Sequence, residues 1–178
     1  MGFLDIFRKK KKQNANEEFI IVSPVAGEIV PTASVPDEAF STNAMGKGFA
    51  VIPSDDTFCA PISGVITLIA ETGHAFSIKS KEGYEVLVHI GVDTVNININ
   101  KNAGEPLKCF TILAKQGHEV VAGTPIVKAD LKEIKEKYNL NTITPVILLA
   151  NDLSNNKTVS EPLVSGVQPL KTVVINIK

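Results

Sequence analysis

Two of the three histidines in this chain stand where an imidazole could do chemistry. His89 lies inside Glu85-Val86-Leu87-Val88-His89-Ile90-Gly91-Val92-Asp93-Thr94-Val95, a strongly apolar, β-branched run. Such a run reads as a buried strand. A buried imidazole needs partners for both ring nitrogens, so it is seldom there without a reason. Alternation along the strand puts Val86 and Val88 on one face and Leu87 and His89 on the other. Gly91 then marks a strand end or bulge just past the histidine. Taken alone, the motif fits a core histidine bonded to a backbone carbonyl at least as well as a reactive one.

The second histidine changes that balance. His74 sits in Glu71-Thr72-Gly73-His74-Ala75-Phe76-Ser77-Ile78, ahead of an alternating strand. Lys81-Glu82-Gly83 has the composition of a hairpin turn between the two motifs. Antiparallel pairing about that turn sets position 74 opposite about position 90, which makes His74 and His89 cross-strand neighbours. A one-residue slip would put the rings on opposite faces. His118, in Gln116-Gly117-His118-Glu119, reads instead as an exposed turn histidine.

Three chemistries suit such a pair. With Asp93 the histidines have ligand types that suit zinc, and a zinc-bound water could hydrolyse a peptide or ester. Zinc peptidases on a related β barrel use His-x-x-x-Asp, the spacing of His89 and Asp93, but also His-x-His, which this chain lacks. A biotinyl or lipoyl carrier would present its lysine at a hairpin tip, commonly beside methionine, and Met45-Gly46-Lys47 is not that arrangement. The third chemistry is a phosphohistidine. One ring nitrogen must be free and the ring held in one tautomer. A second histidine can then donate to the phosphoryl oxygens. Thr72 could fix that second ring, and an apolar rim of Phe40, Ala44, Met45 and Leu87 would keep water away.

The elements that must position these residues read as β structure. Phe19–Val22 is a short apolar run ended by Ser23-Pro24. Pro24-Val25-Ala26-Gly27-Glu28-Ile29-Val30 is echoed by Pro61-Ile62-Ser63-Gly64-Val65-Ile66 and, in looser form, by Val120-Val121-Ala122-Gly123-Thr124-Pro125-Ile126. Turn signals before short apolar strands at close spacing predict an all-β sandwich or barrel, and the repeated phrase suggests internal duplication. One helix is expected near 130–138, with Asp130 and Glu133 set as a capping box. Thr144–Ala150 reads as a buried strand with its proline near the start, and residues 159–178 as one or two closing strands.

Composition narrows the rest. The chain's 178 residues suit one domain, and its net charge of −1 does not fit nucleic-acid binding by the whole molecule. Residues 1–16 carry five basic side chains against one acidic, a net of +4, which leaves −5 on the remainder. Residues 1–18 are therefore expected to be a flexible basic tail, and 2–12 could form an amphipathic helix on an anionic membrane surface. The domain proper is placed at 19–178. Cys59 and Cys109 belong to no Cys-x-x-Cys pair and read as buried free thiols. No apolar run is long enough to span a membrane, and no secretory signal is present, so a cytoplasmic location is expected.

With these motifs in order, the sequence resembles the glucose-type enzyme IIA component of the bacterial phosphoenolpyruvate-dependent sugar phosphotransferase system. The resemblance runs from about Phe19 to the C-terminus. It rests on Ser23–Val30, Val35-Pro36-Asp37 through Phe40, Glu71–Ile78, Val88–Val95 and Leu140–Ile147. It implies an antiparallel β sandwich or barrel of the duplicated hybrid motif type, with a shallow apolar active-site depression. It implies that the histidine-containing phosphocarrier protein phosphorylates His89 on Nε2. A cysteine on the enzyme IIB domain of a sugar permease would then take the phosphoryl group. Carried over, the Gly91 carbonyl orients His89 through Nδ1, His74 hydrogen-bonds the phosphoryl group, and Thr72 aligns His74. Asp37 and Asp93 would flank the depression and meet arginines on the donor. No cofactor is required on this reading, although the family can bind zinc between the two histidines with a partner's carboxylate. Regulatory binding that depends on phosphorylation state is the alternative role. The sugar lies outside what this chain encodes. Three departures stand out: an asparagine-rich link, Asn96 to Lys108, replaces a short glycine-rich one; Ala70 stands where some members have phenylalanine; and Gly73 where some have asparagine.

Overall fold

The computed structural model describes residues 19–102, 104–149 and 173–177. The basic tail and its expected membrane helix lie outside the described residues, as does most of the expected closing segment. The regular structure of the described residues is almost all antiparallel β. In order it forms β1 (Phe19–Val22), β2 (Gly27–Pro31), β3 (Gly46–Pro53), β4 (Thr57–Cys59), β5 (Gly64–Ile69), β6 (Ala75–Lys79) and β7 (Glu85–His89). There follow β8 (Phe110–Ile112), β9 (Glu119–Val120), β10 (Pro125–Ala129), β11 (Thr144–Leu149) and β12 (Val173–Ile177). A seven-stranded sheet runs β2-β3-β11-β7-β6-β5-β9, a three-stranded sheet runs β4-β10-β8, and β1 pairs with β12.

Alternation assigns the two faces of the large sheet. Val86, Val88, Phe76, Ile78, Ile66, Phe49, Val51, Val146 and Leu148 turn inward to the main core, joined by Phe58, Ile126 and Val127 of the small sheet. The other face carries Leu87, with Ile147 opposite it on β11. Ile147 belongs to a smaller apolar cluster with Val35, Phe40, Ala50, Val92 and Ile143. One strand thus serves two environments, as period-2 patterning requires.

The repeated Pro-Gly phrases come together in space. The Cys59 N–H donates to the Pro24 carbonyl at 2.7 Å, that of Val22 to Pro61 at 3.0 Å and that of Gly123 to Ala60 at 2.9 Å. Gly27 and Gly64 open β2 and β5 in the same way. A Cβ on either would run into a backbone carbonyl of the adjoining strand, Ile52 for Gly27 and Lys79 for Gly64. This equivalence supports the duplication read from the sequence.

The expected helix is shorter than 130–138, at Leu131–Glu136, and only half of its capping box forms. Asp130 Oδ1 accepts from the Glu133 N–H at 2.8 Å. The Asp130 N–H donates to the Cys109 carbonyl, so Glu133 turns instead to Lys137. A one-turn helix at Glu38–Ser41, too short to show a period, was not expected.

Gly27→Ala and Gly64→Ala are each expected to cost about 1–3 kcal/mol, the usual penalty for forcing extra volume into a packed site. Denaturant unfolding of the two variants measures this. A loss below a few tenths of a kcal/mol would contradict the close approach.

Candidate functional site

β6 and β7 pair in the register that the hairpin spacing predicts, with Ala75 opposite His89 and Phe76 opposite Val88. The pairing continues one step beyond β7, where the Ile90 N–H donates to the His74 carbonyl at 2.7 Å. The two imidazoles therefore meet, with ring centroids 4.8 Å apart and an edge-on angle of 76°.

Past His89 the chain turns sharply. Gly91 has φ +75°, and a Cβ there would strike the Thr94 methyl and the Asn141 carbonyl. Two bonds hold this turn: Val92 N–H to the Asn141 carbonyl at 2.8 Å and Thr94 Oγ1 to the Ile90 carbonyl at 2.5 Å. The turn aims the Gly91 carbonyl back at His89 Nδ1, 2.8 Å away. A carbonyl can only accept, so Nδ1 carries the proton and a neutral ring keeps its lone pair at Nε2. His74 is held from its other side, with Nδ1 2.5 Å from the Thr72 hydroxyl.

Burial decides the charge on both rings. It lowers the His74 pKa from 6.5 to about 4, with the neighbouring His89 adding to the effect. Burial also lowers His89, against the opposing pull of the Gly91 carbonyl, Asp37 and Asp93. Desolvation outweighs two carboxylates here, and both imidazoles are neutral at pH 7.

The remaining residues singled out in the sequence fall around this pair in different ways. Asp37 caps the one-turn helix, Oδ1 accepting from the Ala39 N–H at 2.8 Å. Asp93 is exposed, in a left-handed conformation with φ 59°. Phe40 is only 4% exposed, and its ring centroid lies 5.2 Å from that of His89. Leu87 is likewise buried. Of the expected rim, Phe40 thus packs against the His89 ring, whereas Ala44 and Met45 are open to solvent. His118 is exposed on its turn, and Cys59 and Cys109 are buried free thiols.

Among the described residues no cluster of three or more His, Cys, Asp or Glu side chains could hold a metal. The histidine pair offers two ligands, so a metal there would need another molecule to complete its shell.

Two residues important to this geometry escaped the sequence reading. Asn141 supplies the carbonyl that fixes Val92, and its Oδ1 accepts from the Ile143 N–H at 2.9 Å. Asn98, buried behind Thr72, is the other. Asn141 lies in the Leu140–Ile147 stretch that carries the resemblance and stands ahead of a strand, but neither signal assigned it a role. For Asn98 the signal was an asparagine alternating with isoleucine.

The chain matches the family model of the phosphoenolpyruvate-dependent sugar phosphotransferase system, EIIA 1, over residues 19–153. It is 37% identical over 152 residues to the glucose-specific EIIA component of Borreliella burgdorferi, covering 85% of this chain and 72% of that one. It is 43% identical over 146 residues to the glucose-specific EIICBA component of Mycoplasma genitalium, covering 80% of this chain but only 16% of that longer protein. The solved structure of glucose permease IIA from Mycoplasma capricolum superposes with a TM-score of 0.77 at 32% identity, over 90% of this chain and 96% of that one. No helix among the described residues is long and apolar enough to cross a membrane. This chain belongs to the EIIA family of the phosphoenolpyruvate-dependent sugar phosphotransferase system, as a phosphotransferase component of the glucose type.

Proposed function

We propose that His89 Nε2 is the atom that carries the phosphoryl group. The observation that carries this reading is the bond from His89 Nδ1 to the Gly91 carbonyl. It supports a fixed tautomer whose lone pair faces the depression beside His74. The donor is the histidine-containing phosphocarrier protein, and the acceptor is a cysteine of an enzyme IIB domain. Fusion of this domain to EIIC and EIIB in relatives fits such an acceptor.

The step balances without net proton transfer. The Nε2 lone pair attacks phosphorus as the donor's P–N bond breaks, and its electrons return to the donor ring. In the second transfer a thiolate attacks phosphorus and the Nε2–P bond returns its electrons to His89. Nδ1–H stays on the Gly91 carbonyl throughout and favours the positive charge that Nε2 phosphorylation brings. The Thr72 hydroxyl, donating to His74 Nδ1, leaves Nε2–H of His74 free to donate to a phosphoryl oxygen. Positioned donors of this kind supply most of the help that phosphoryl transfer needs. Asp37 and Asp93 offer carboxylates to arginines on the donor, and Met45 with Ala44 offers apolar contact.

Intact mass after incubation with phosphoenolpyruvate, enzyme I and the phosphocarrier protein tests the assignment. Wild type is expected to gain one acid-labile phosphoryl group, and His89→Ala none. His74→Ala is expected to gain one but to pass it on more slowly by about a hundredfold, the scale of a lost hydrogen bond in a transition state. Unchanged loading of His89→Ala would sink the assignment.

The lowered proton affinity of His74 also has a measurable sign. Well above pH 6.5 neither the folded nor the unfolded state is charged at this ring, and stability is unaffected by it. Between pH 6.5 and about 4 the unfolded chain takes up a proton that the folded ring refuses. Stability contributed by this group therefore falls across that window as pH drops. Plotted against pH over this window, urea midpoints should fall more steeply for wild type than for His74→Gln. Parallel slopes would mean that His74 titrates normally.

A further inference from the structure

Asn98 and Ile99 invert the usual burial pattern. Asn98 is only 4% exposed, while the adjoining Ile99 is 58% exposed. A buried carboxamide beside an exposed isoleucine needs a reason, because burial of amide groups costs unless they are bonded. Here the bonds are made. Oδ1 accepts from the Lys108 N–H at 2.9 Å, and Nδ2 donates to the Lys108 carbonyl at 2.9 Å and to the Thr72 carbonyl at 3.2 Å. Both donors and one acceptor site of the side chain are used.

The third bond matters most. It fixes the backbone of Thr72, the residue whose hydroxyl meets His74 Nδ1. Asn98 also stands at the end of the 3-10 turn Thr94–Ile97, directly after Asp93 and the turn that orients His89. Its side chain therefore ties the His89 turn to the loop before His74. A second observation points the same way. Gly73 is pressed against Leu107 and Phe110, so closely that a Cβ there would collide with the Phe110 side chain. The clasp on Lys108 anchors that segment where it abuts Gly73. The long asparagine-rich link is thus fastened beside the loop that carries the second histidine.

We propose that Asn98 is a positioning residue for phosphoryl discharge. It holds Thr72 so that the Thr72 hydroxyl keeps His74 in the tautomer with its proton on Nε2. Asn98 touches neither imidazole and acts through Thr72. This rests on the phosphocarrier reading for its consequence in catalysis, but its first test does not.

Ring nitrogen NMR shifts of His74 in the unphosphorylated protein report the tautomer directly. Asn98→Ala should move them from one tautomer toward a mixture. In the phosphotransfer assay the same variant should load His89 at close to the wild-type rate and discharge about tenfold more slowly, as for a group acting only in that transition state. Thr72→Ala and the double variant complete a cycle, in which Asn98→Ala should add little once Thr72 is gone. Additive effects, or unchanged His74 shifts, would overturn the proposal. If Asn98→Ala does not fold, Asn98→Gln keeps the carboxamide one methylene further out and should give an intermediate tautomer shift; wild-type shifts there would count against the role. Failure of wild type to accept phosphoryl would sink the phosphocarrier reading alone, because the tautomer test stands without it.

Discussion

The hydrogen bond between His89 Nδ1 and the Gly91 carbonyl, at 2.8 Å, is the constraint on which the site depends. It requires a carbonyl to point backwards at a side chain two residues earlier. A residue with a Cβ would resist this at φ +75°, and Thr94 and Asn141 leave no room for one. The turn is possible only because β11 and the segment before it pass close beside β7. The architecture of the large sheet therefore serves one bond angle at one imidazole. The strand that supplies His89 is also central to the sheet and contributes Val86 and Val88 to the main core. Rigidity of the core and orientation of the ring have the same source.

Electrostatics in the depression are a contest that burial wins. Asp37 and Asp93 favour a charged His89, as does the Gly91 carbonyl, yet the ring's affinity for protons still falls. Partial removal from water outweighs charges that are themselves near solvent. The outcome suits a nucleophile, since a protonated Nε2 has no lone pair to offer. On the proposed function, Asp37 and Asp93 are the carboxylates that a basic partner would meet. Phe40, packed against the His89 ring, contributes to that removal from water.

Much of this was readable from local spacing. Period-2 alternation set the two faces of β7, and the count of residues across Lys81–Gly83 set the register that brings His74 to His89. Those features were legible because hairpins are governed by near neighbours in sequence. An apolar role for Phe40 was legible, but how deeply it sits was not, because that depends on how the segment around the one-turn helix folds over Ile147 and Ala50. The role of Asn98 was hidden for a related reason. Val95-Asn96-Ile97-Asn98-Ile99 alternates like a strand but begins in a 3-10 turn, Thr94–Ile97, and just past that turn Asn98 is buried while Ile99 is exposed. The half-formed capping box at Asp130 is a third case, since the carbonyl of distant Cys109 accepts the Asp130 N–H that the Glu133 carboxylate would otherwise have accepted.

The β6–β7 hairpin has a kinetic side. His74 and His89 are joined by a short, local connection, so their meeting requires little chain entropy to be lost in loop closure. Asn141 and Asp37 reach the same place only after far longer stretches of chain have been gathered in. Assembly of the site during folding is therefore ordered by sequence separation: the pair of rings can be juxtaposed on the timescale of a single hairpin, and the turn that selects the tautomer must wait for β11 to dock.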